Sequence, residues 1–329
     1  MMNLIQYIES FLRVGSVSGD EAALGRVLAE AARPYADEVY TDTLGNLIAR
    51  KKADGPKLML CAHMDTVGFL ATHIDKEGFV RFAAVGGLCP LDIAGAPVVF
   101  TDGTRGVVRF EEKPGLKDLK LSHGYIDIGG SAPSSVKTGD RARFCGQPFQ
   151  TNGRLVSPYL DNYAGCAILL ETLARMKDPQ NDLWFVFTVQ EEVGLRGART
   201  AAFAIEPDLS LAVDVTDALD VPEPKLKNEC RLGGGAAIKL MDSSVLCHPL
   251  AVKHLEQCAR DGGIPHQYEI LEDGGTDAGA VSLSRGGVPS GGVSIPTRYI
   301  HTAYEMADIS DMASCVALLC AAAQLGLAI

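Results

Sequence analysis

Leu4, Ile5, Ile8, Phe11 and Leu12 recur at helical spacing, and Gly15 follows where such a helix would stop. A second helix is predicted from about Asp20 and Glu21, whose acidic side chains suit a helix N-terminus, to about Arg33, ahead of Pro34. Two strand-like segments come next, at 39–50 and 57–62. The second is an unbroken apolar run, as expected of a buried central strand. Between about 67 and 155 the texture changes. Short β-like pieces (VGFLATHI, GFVRFAAV, APVVF, RGVVRF, DRARFC) alternate with turns rich in Gly, Pro and Asp, and no helical period is present. After 155 the alternation of helices and strands resumes. Helices are predicted at 164–176, 197–204, 245–260 and 308–325, and strands at 183–190, 209–214, 238–241, 267–271 and 288–295. This order implies an α/β fold with a mostly parallel sheet sandwiched by helices. Residues 1–66 and 155–329 then form one discontinuous domain, and 67–154 a β-rich insertion.

Composition narrows the partners more than the fold. The 329 residues are 47% hydrophobic, enough for one large core or two unequal domains. A net charge of −11 and a pI near 5.1 argue against nucleic acid or an anionic membrane as partner, because both reward basic surfaces. Nine cysteines form no CxxC pair, and several lie in apolar runs, such as Cys61 and Cys320; they read as reduced core residues. The first ten residues lack a basic stretch followed by an apolar one, and the longest apolar run, 315–323, is far short of the roughly 20 residues that span a bilayer. A soluble, cytoplasmic protein is expected.

Chemistry gathers where apolar strands end. The first run ends in His63, with Asp65 two residues on; a metal-binding imidazole usually donates its other N–H to such an acceptor. LWFVFTV runs into Glu191 and Glu192, two adjacent acids that need cations, a shared proton or full solvation. LAV runs into Asp214, and His301 lies shortly after the last apolar strand. Asp161 falls at a turn entering a helix, where capping would also explain it. Each feature has a mundane reading alone. Their recurrence at four strand ends changes that, since parallel strands would bring those ends to one edge of the sheet. Two histidines and three carboxylates, with one carboxylate left over, suit two borderline divalent ions such as zinc, cobalt or manganese. The remaining carboxylate would serve as the base for a water held between them. Glu191 and Glu192 divide into base and ligand, in an order the residues alone leave open. Arg298 reads as a structural ion-pair partner ahead of a contact for an acidic substrate side chain, and Thr276 or Asp277 as a helix cap ahead of a substrate-positioning group.

The blocks CAHMDTVGF, VSPYLDNYAGCAILLETL, FTVQEEVGLRGA, AVDVTDA and GGTDAGAVSLSRGGVPSGGVSIPTRYIHT resemble the glutamyl and deblocking aminopeptidases, and they span nearly the whole chain in that family's order. The resemblance implies a zinc-aminopeptidase-like fold and a dinuclear metallopeptidase acting on peptides with a free N-terminus. It implies His63 and Asp214 as terminal ligands of one ion, Glu192 and His301 of the other, and Asp161 as the bridge. Glu191 would be the base, and Asp65 the carboxylate behind His63. It also implies a β-barrel-like insertion used in subunit contacts and substrate access, and a homo-oligomer built from dimers, up to a dodecamer. Related deacylases, dipeptidases and carboxypeptidases share HxD, a bridging Asp, the EE pair and a late His, but their extra domain usually follows the third ligand. Here the long gap lies earlier, between His63 and Asp161. A glycoside hydrolase would leave both histidines unexplained, and one Trp offers little for stacking sugars.

Overall fold

The computed structural model describes residues 2–113, 115–130, 135–224 and 229–327. Helices α1 (Met2–Val14) and α2 (Ala22–Ala32) precede strands β1 (Glu38–Thr41), β2 (Leu47–Lys51) and β3 (Lys57–His63). The segment 39–50 is therefore a hairpin and not one strand. The Asp42 carboxylate accepts the backbone N–H groups of Leu44, Gly45 and Asn46, which forces the chain to turn there.

Six strands then close on themselves: β4 (Gly68–Ile74), β5 (Val80–Val85), β6 (Pro97–Phe100), β7 (Arg105–Phe110), β8 (Gly124–Asp127) and β9 (Arg141–Phe144). Their order around the barrel is β4-β5-β8-β7-β6-β9, and a short helix, α3 (Pro90–Ile93), joins β5 to β6. Phe69 fills the interior, with edge-on contacts to Phe82 and Phe144 at centroid distances of 5.0 and 5.4 Å. Closure leaves this small unit without a free strand edge.

The chain re-enters the large sheet through β10 (Phe149–Thr151) and β11 (Arg154–Ser157), and then forms α4 (Leu160–Arg175). The rest alternates as β12 (Asp182–Thr188), α5 (Arg196–Ile205), β13 (Leu209–Asp217), β14 (Ala236–Met241), α6 (Pro249–Gly262), β15 (His266–Ile270), α7 (Asp277–Ser282), β16 (Ser290–Arg298), β17 (Glu305–Asp308) and α8 (Ile309–Gln324). Helix α6 starts four residues later than its apolar pattern predicts, because Pro249 suits the first helical position and the His248 side chain caps it.

At the centre, β12, β3, β13 and β16 lie side by side and parallel. Helices α1 and α8 each pack on α4, and α5 on α7, and the central strands are almost wholly buried. The mixed α/β architecture with a mostly parallel core is the one expected from the alternation of elements. Arg298 pairs with Asp220 at 2.6 Å, as a structural ion pair. None of the nine cysteines is in a disulfide; five are buried, three are half-buried, and Cys89 is exposed. Among the described residues no helix is long and apolar enough to cross a membrane.

Candidate metal centre and active site

Parallel register decides which side chains meet. His63, the last residue of β3, stands opposite Thr188, the last residue of β12, so the Glu191–Glu192 turn leaves the sheet beside it. Asp214 does not end its strand. β13 continues to Asp217 because β16 pairs with it that far, whereas β3 has already stopped. The carboxylate of Asp214 therefore emerges at the level of His63. His301 follows β16 by three residues, and Asp161 lies in the first turn of α4, joined to Asn162 by a cis peptide.

All six side chains converge. His63 Nε2 lies 3.0 Å from Asp161 Oδ1, 3.4 Å from Asp214 Oδ1 and 4.0 Å from Glu191 Oε2. His301 Nε2 lies 3.2 Å from Asp161 Oδ2 and 3.3 Å from Glu192 Oε2. The two oxygens of Asp161 thus face two different histidines. Donor atoms of His63, Glu191 and Asp214, and of His63, Asp161 and Glu192, come close enough to share an ion. Asp161 Oδ1 and Glu192 Oε1 are buried acceptors without a hydrogen-bond donor. Four carboxylates beside two imidazoles, with orphaned acceptors among them, make a donor set that fits divalent cations.

The electrostatics express the same crowding. Burial pulls His63 down, but the Asp214 and Glu191 carboxylates outweigh it and hold the imidazole well above its usual value. Burial pushes Glu191 well above the usual carboxylate range, reinforced by Asp214 and Glu192 against the opposing pull of His63. Asp161 goes the other way: His301 and His63 overcome its burial and keep it ionised.

Asp65 sits behind this cluster in a more elaborate role than its spacing suggests. Its backbone carbonyl lies 3.0 Å from His63 Nδ1, and its carboxylate is 3.7 Å from the same nitrogen. That carboxylate accepts the backbone N–H groups of Glu191 at 2.9 Å and Glu192 at 3.2 Å, and the Ser18 hydroxyl at 2.6 Å. It orients the loop that carries both glutamates.

Three contributors escaped the sequence reading. Glu305, four residues after His301, is buried and accepts the backbone N–H groups of Asp161 and His301. Asp277 reads as a cap, yet it is buried beneath the site, where its carboxylate accepts from the Thr188 hydroxyl, and burial pushes its pKa up to about 7. Gly87, just past β5 of the barrel, lines the cavity; a Cβ there would stand 3.3 Å from His301 Nδ1. Only the Gly-Gly pair at 86–87 could have drawn notice in the sequence. The cavity above the cluster holds about 500 Å³, and Asp217, Ser243, Leu271, Thr276 and Ile300 are among the residues of its walls.

Residues 45–318 match the M42 glutamyl aminopeptidase family. A protein of Acetivibrio thermocellus is 46% identical over 322 residues, covering 96% of this chain and 97% of its own length. An aminopeptidase from the archaeon Desulfurococcus kamchatkensis superposes with a TM-score of 0.92 at 32% identity, over 98% of this chain and 94% of that one. The TET1 peptidase of Pyrococcus horikoshii, which can assemble into a tetrahedron or a large octahedral shell, superposes with a TM-score of 0.85 at 28% identity, over 97% of this chain and 99% of that one. The chain belongs to the M42 glutamyl aminopeptidase family.

Proposed function

We propose that this metal-dependent aminopeptidase releases the N-terminal residue of peptides at a dinuclear centre held by His63, Asp161, Glu192, Asp214 and His301, with Glu191 as general base. One observation carries the reading: Asp161 presents one oxygen to His63 and the other to His301, the disposition of a carboxylate bridging two ions. His63 and Asp214 complete one trio, and Glu192 and His301 the other. Without Glu192 the His301 side would have Asp161 alone, whereas the His63 side has its three donors without Glu191. That surplus supports Glu192 as the ligand and Glu191 as the base. Imidazole and carboxylate donors suit zinc, cobalt or manganese better than calcium.

Bound there, divalent ions would polarise the scissile carbonyl, acidify a water and anchor the free α-amino group. Glu191, whose burial raises its proton affinity above that of an ordinary carboxylate, accepts as a carboxylate the proton of the attacking water. It then delivers that proton to the leaving amine as the C–N bond breaks, which returns the carboxylate to its starting state. Asp65 keeps Glu191 in reach by holding its backbone N–H.

Residues 1–66 and 155–329 are assigned to the catalytic unit, and 67–154 to an inserted unit for assembly and substrate access. The barrel, and the tetrahedral assembly of the Pyrococcus horikoshii relative, support a homo-oligomer, of which a dodecamer built from dimers is the form proposed. Nine cysteines with no disulfide among them fit a cytoplasmic setting.

The test is Glu191→Gln. The variant is expected to bind two ions per chain like the parent, by metal analysis, while turnover of aminoacyl anilides falls by about 10²–10⁴-fold. Loss of an ion would make Glu191 a ligand and overturn the assignment.

A further inference from the structure

We infer that Glu305 is a positioning residue that locks Asp161 and His301 to each other and so builds the His301 side of the centre; this rests on the dinuclear reading above. The five proposed ligands are held in two ways. His63 and Asp214 stand on strands, where the ladder of β3, β13 and their neighbours fixes the backbone. Glu192 and His301 stand on turns, and Asp161 in the first turn of α4, where its φ of −79° and ψ of 103° are not helical, so no strand ladder holds any of the three.

These turns are strained as well. Tyr159, two residues before Asp161, has φ 60°, Gln190 has φ 55°, and His301 itself has φ 63°, all in the left-handed region that non-glycine residues avoid. Such conformations persist where the surroundings over-determine them. Two buried carboxylates do so here. Asp65 spans the amides of Glu191 and Glu192. Glu305 spans the other pair, its Oε2 accepting Asp161 N–H at 2.8 Å and its Oε1 accepting His301 N–H at 2.9 Å.

Glu305 is suited to the task because its own backbone is fixed. It pairs with Ser157 across β11 and β17, on the strand that leads into the Asp161 turn. A rigid carboxylate with both oxygens used therefore ties two turns that are 140 positions apart in sequence. The side chains so held face each other, Asp161 Oδ2 to His301 Nε2 at 3.2 Å. Glu305 is buried and does not line the cavity; it sets the spacing of Asp161 and His301, which do. Gln in its place keeps one acceptor oxygen and turns an NH₂ towards the second amide, so one clamp bond is lost and two donors oppose each other. Asp keeps the charge but is one methylene too short to reach both amides.

The experiment is calorimetric titration of the metal-free, full-length protein with zinc, together with the visible absorption spectrum of the cobalt-loaded form. Wild type, Glu305→Gln and Glu305→Asp are compared, with circular dichroism and light scattering of the metal-free proteins as the check on fold. The expected result is two binding steps in wild type. In both variants one step should weaken by about 10–100-fold, the other should stay within a few-fold, and the cobalt spectrum should change. A general loss of stability would not remove one step selectively. Two unaltered steps and an unaltered spectrum in the variants would overturn the inference, as would failure of both variants to fold, which would assign Glu305 to the scaffold. A wild type with fewer than two steps would instead sink the dinuclear reading itself.

Discussion

Asp277 shows how far a residue's role can depart from its local pattern. It stands at the first position of α7 after Gly274-Gly275-Thr276, and a cap is what that position suggests. The fold instead drives it under the candidate metal centre, and burial raises its pKa to about 7 despite the Thr188 hydroxyl that favours its charge. The sign of the consequence follows from linkage. An acid whose folded pKa exceeds its unfolded value, here 3.8, binds its proton more tightly in the native state. Native protein then holds more protons between about pH 4 and pH 7, and stability falls as pH rises through that window. Asp277→Asn keeps an acceptor for Thr188 and removes the titration. In metal-free protein the variant should match wild type near pH 4 and exceed it near pH 7, read as denaturant midpoints. Parallel pH curves for the two proteins would show that Asp277 is not held protonated. Glu305 makes the complementary point: its role depends on two amides far apart in the chain, which no local signal marks.

At the scale of elements, the centre was legible because buried parallel strands announce themselves and their ends are easy to find. His63 and the Glu191–Glu192 pair lie at or just past such ends, and His301 three residues beyond. Asp214 was legible for an incomplete reason, since β13 runs three residues further than its apolar stretch, along a partner strand that is remote in sequence. The hairpin within 39–50 was hidden because both arms carry the same strand-like residues, and only the Asp42 turn divides them. β17 was missed because four residues with an acid at each end carry no alternation worth the name. Least legible was the approach of the barrel to the site. The link after β5 brings Gly87 against the His301 ring, and no side chain larger than hydrogen fits without moving it. Gly87→Ala should therefore fold and assemble normally but lose about tenfold in kcat/KM, because small misplacements of a reacting group are costly. Gly286→Ala, where a Cβ meets nothing within 4 Å, is the control. Equal kcat/KM for the two variants would mean the His301 ring yields without consequence.

For the whole molecule, the proposed division gives assembly to one unit and chemistry to the other. His63, Asp161, Glu191, Glu192, Asp214 and His301 all come from segments outside the six barrel strands, and the link at 86–87 reaches them only with glycines. The barrel is closed, so copies cannot join by extending its sheet, and its contacts must be made by side chains. A closed tetrahedral particle needs two different interfaces on each chain, one around a twofold axis and one around a threefold. Exposed apolar side chains occur on both units, Leu91 and Val107 on the barrel and Leu246 and Leu283 beside α7, so both surfaces are available. If the interfaces lie there, stripping the metal removes the catalyst and leaves the particle intact. Light scattering should then give the mass of twelve 34.9 kDa chains, about 420 kDa, before and after chelation. Turnover of aminoacyl anilides should vanish with chelation and return when ions are restored, at constant mass. Collapse to single chains on chelation would place the metal centre within the contacts that hold copies together, and the division of labour between barrel and sheet would fail with it.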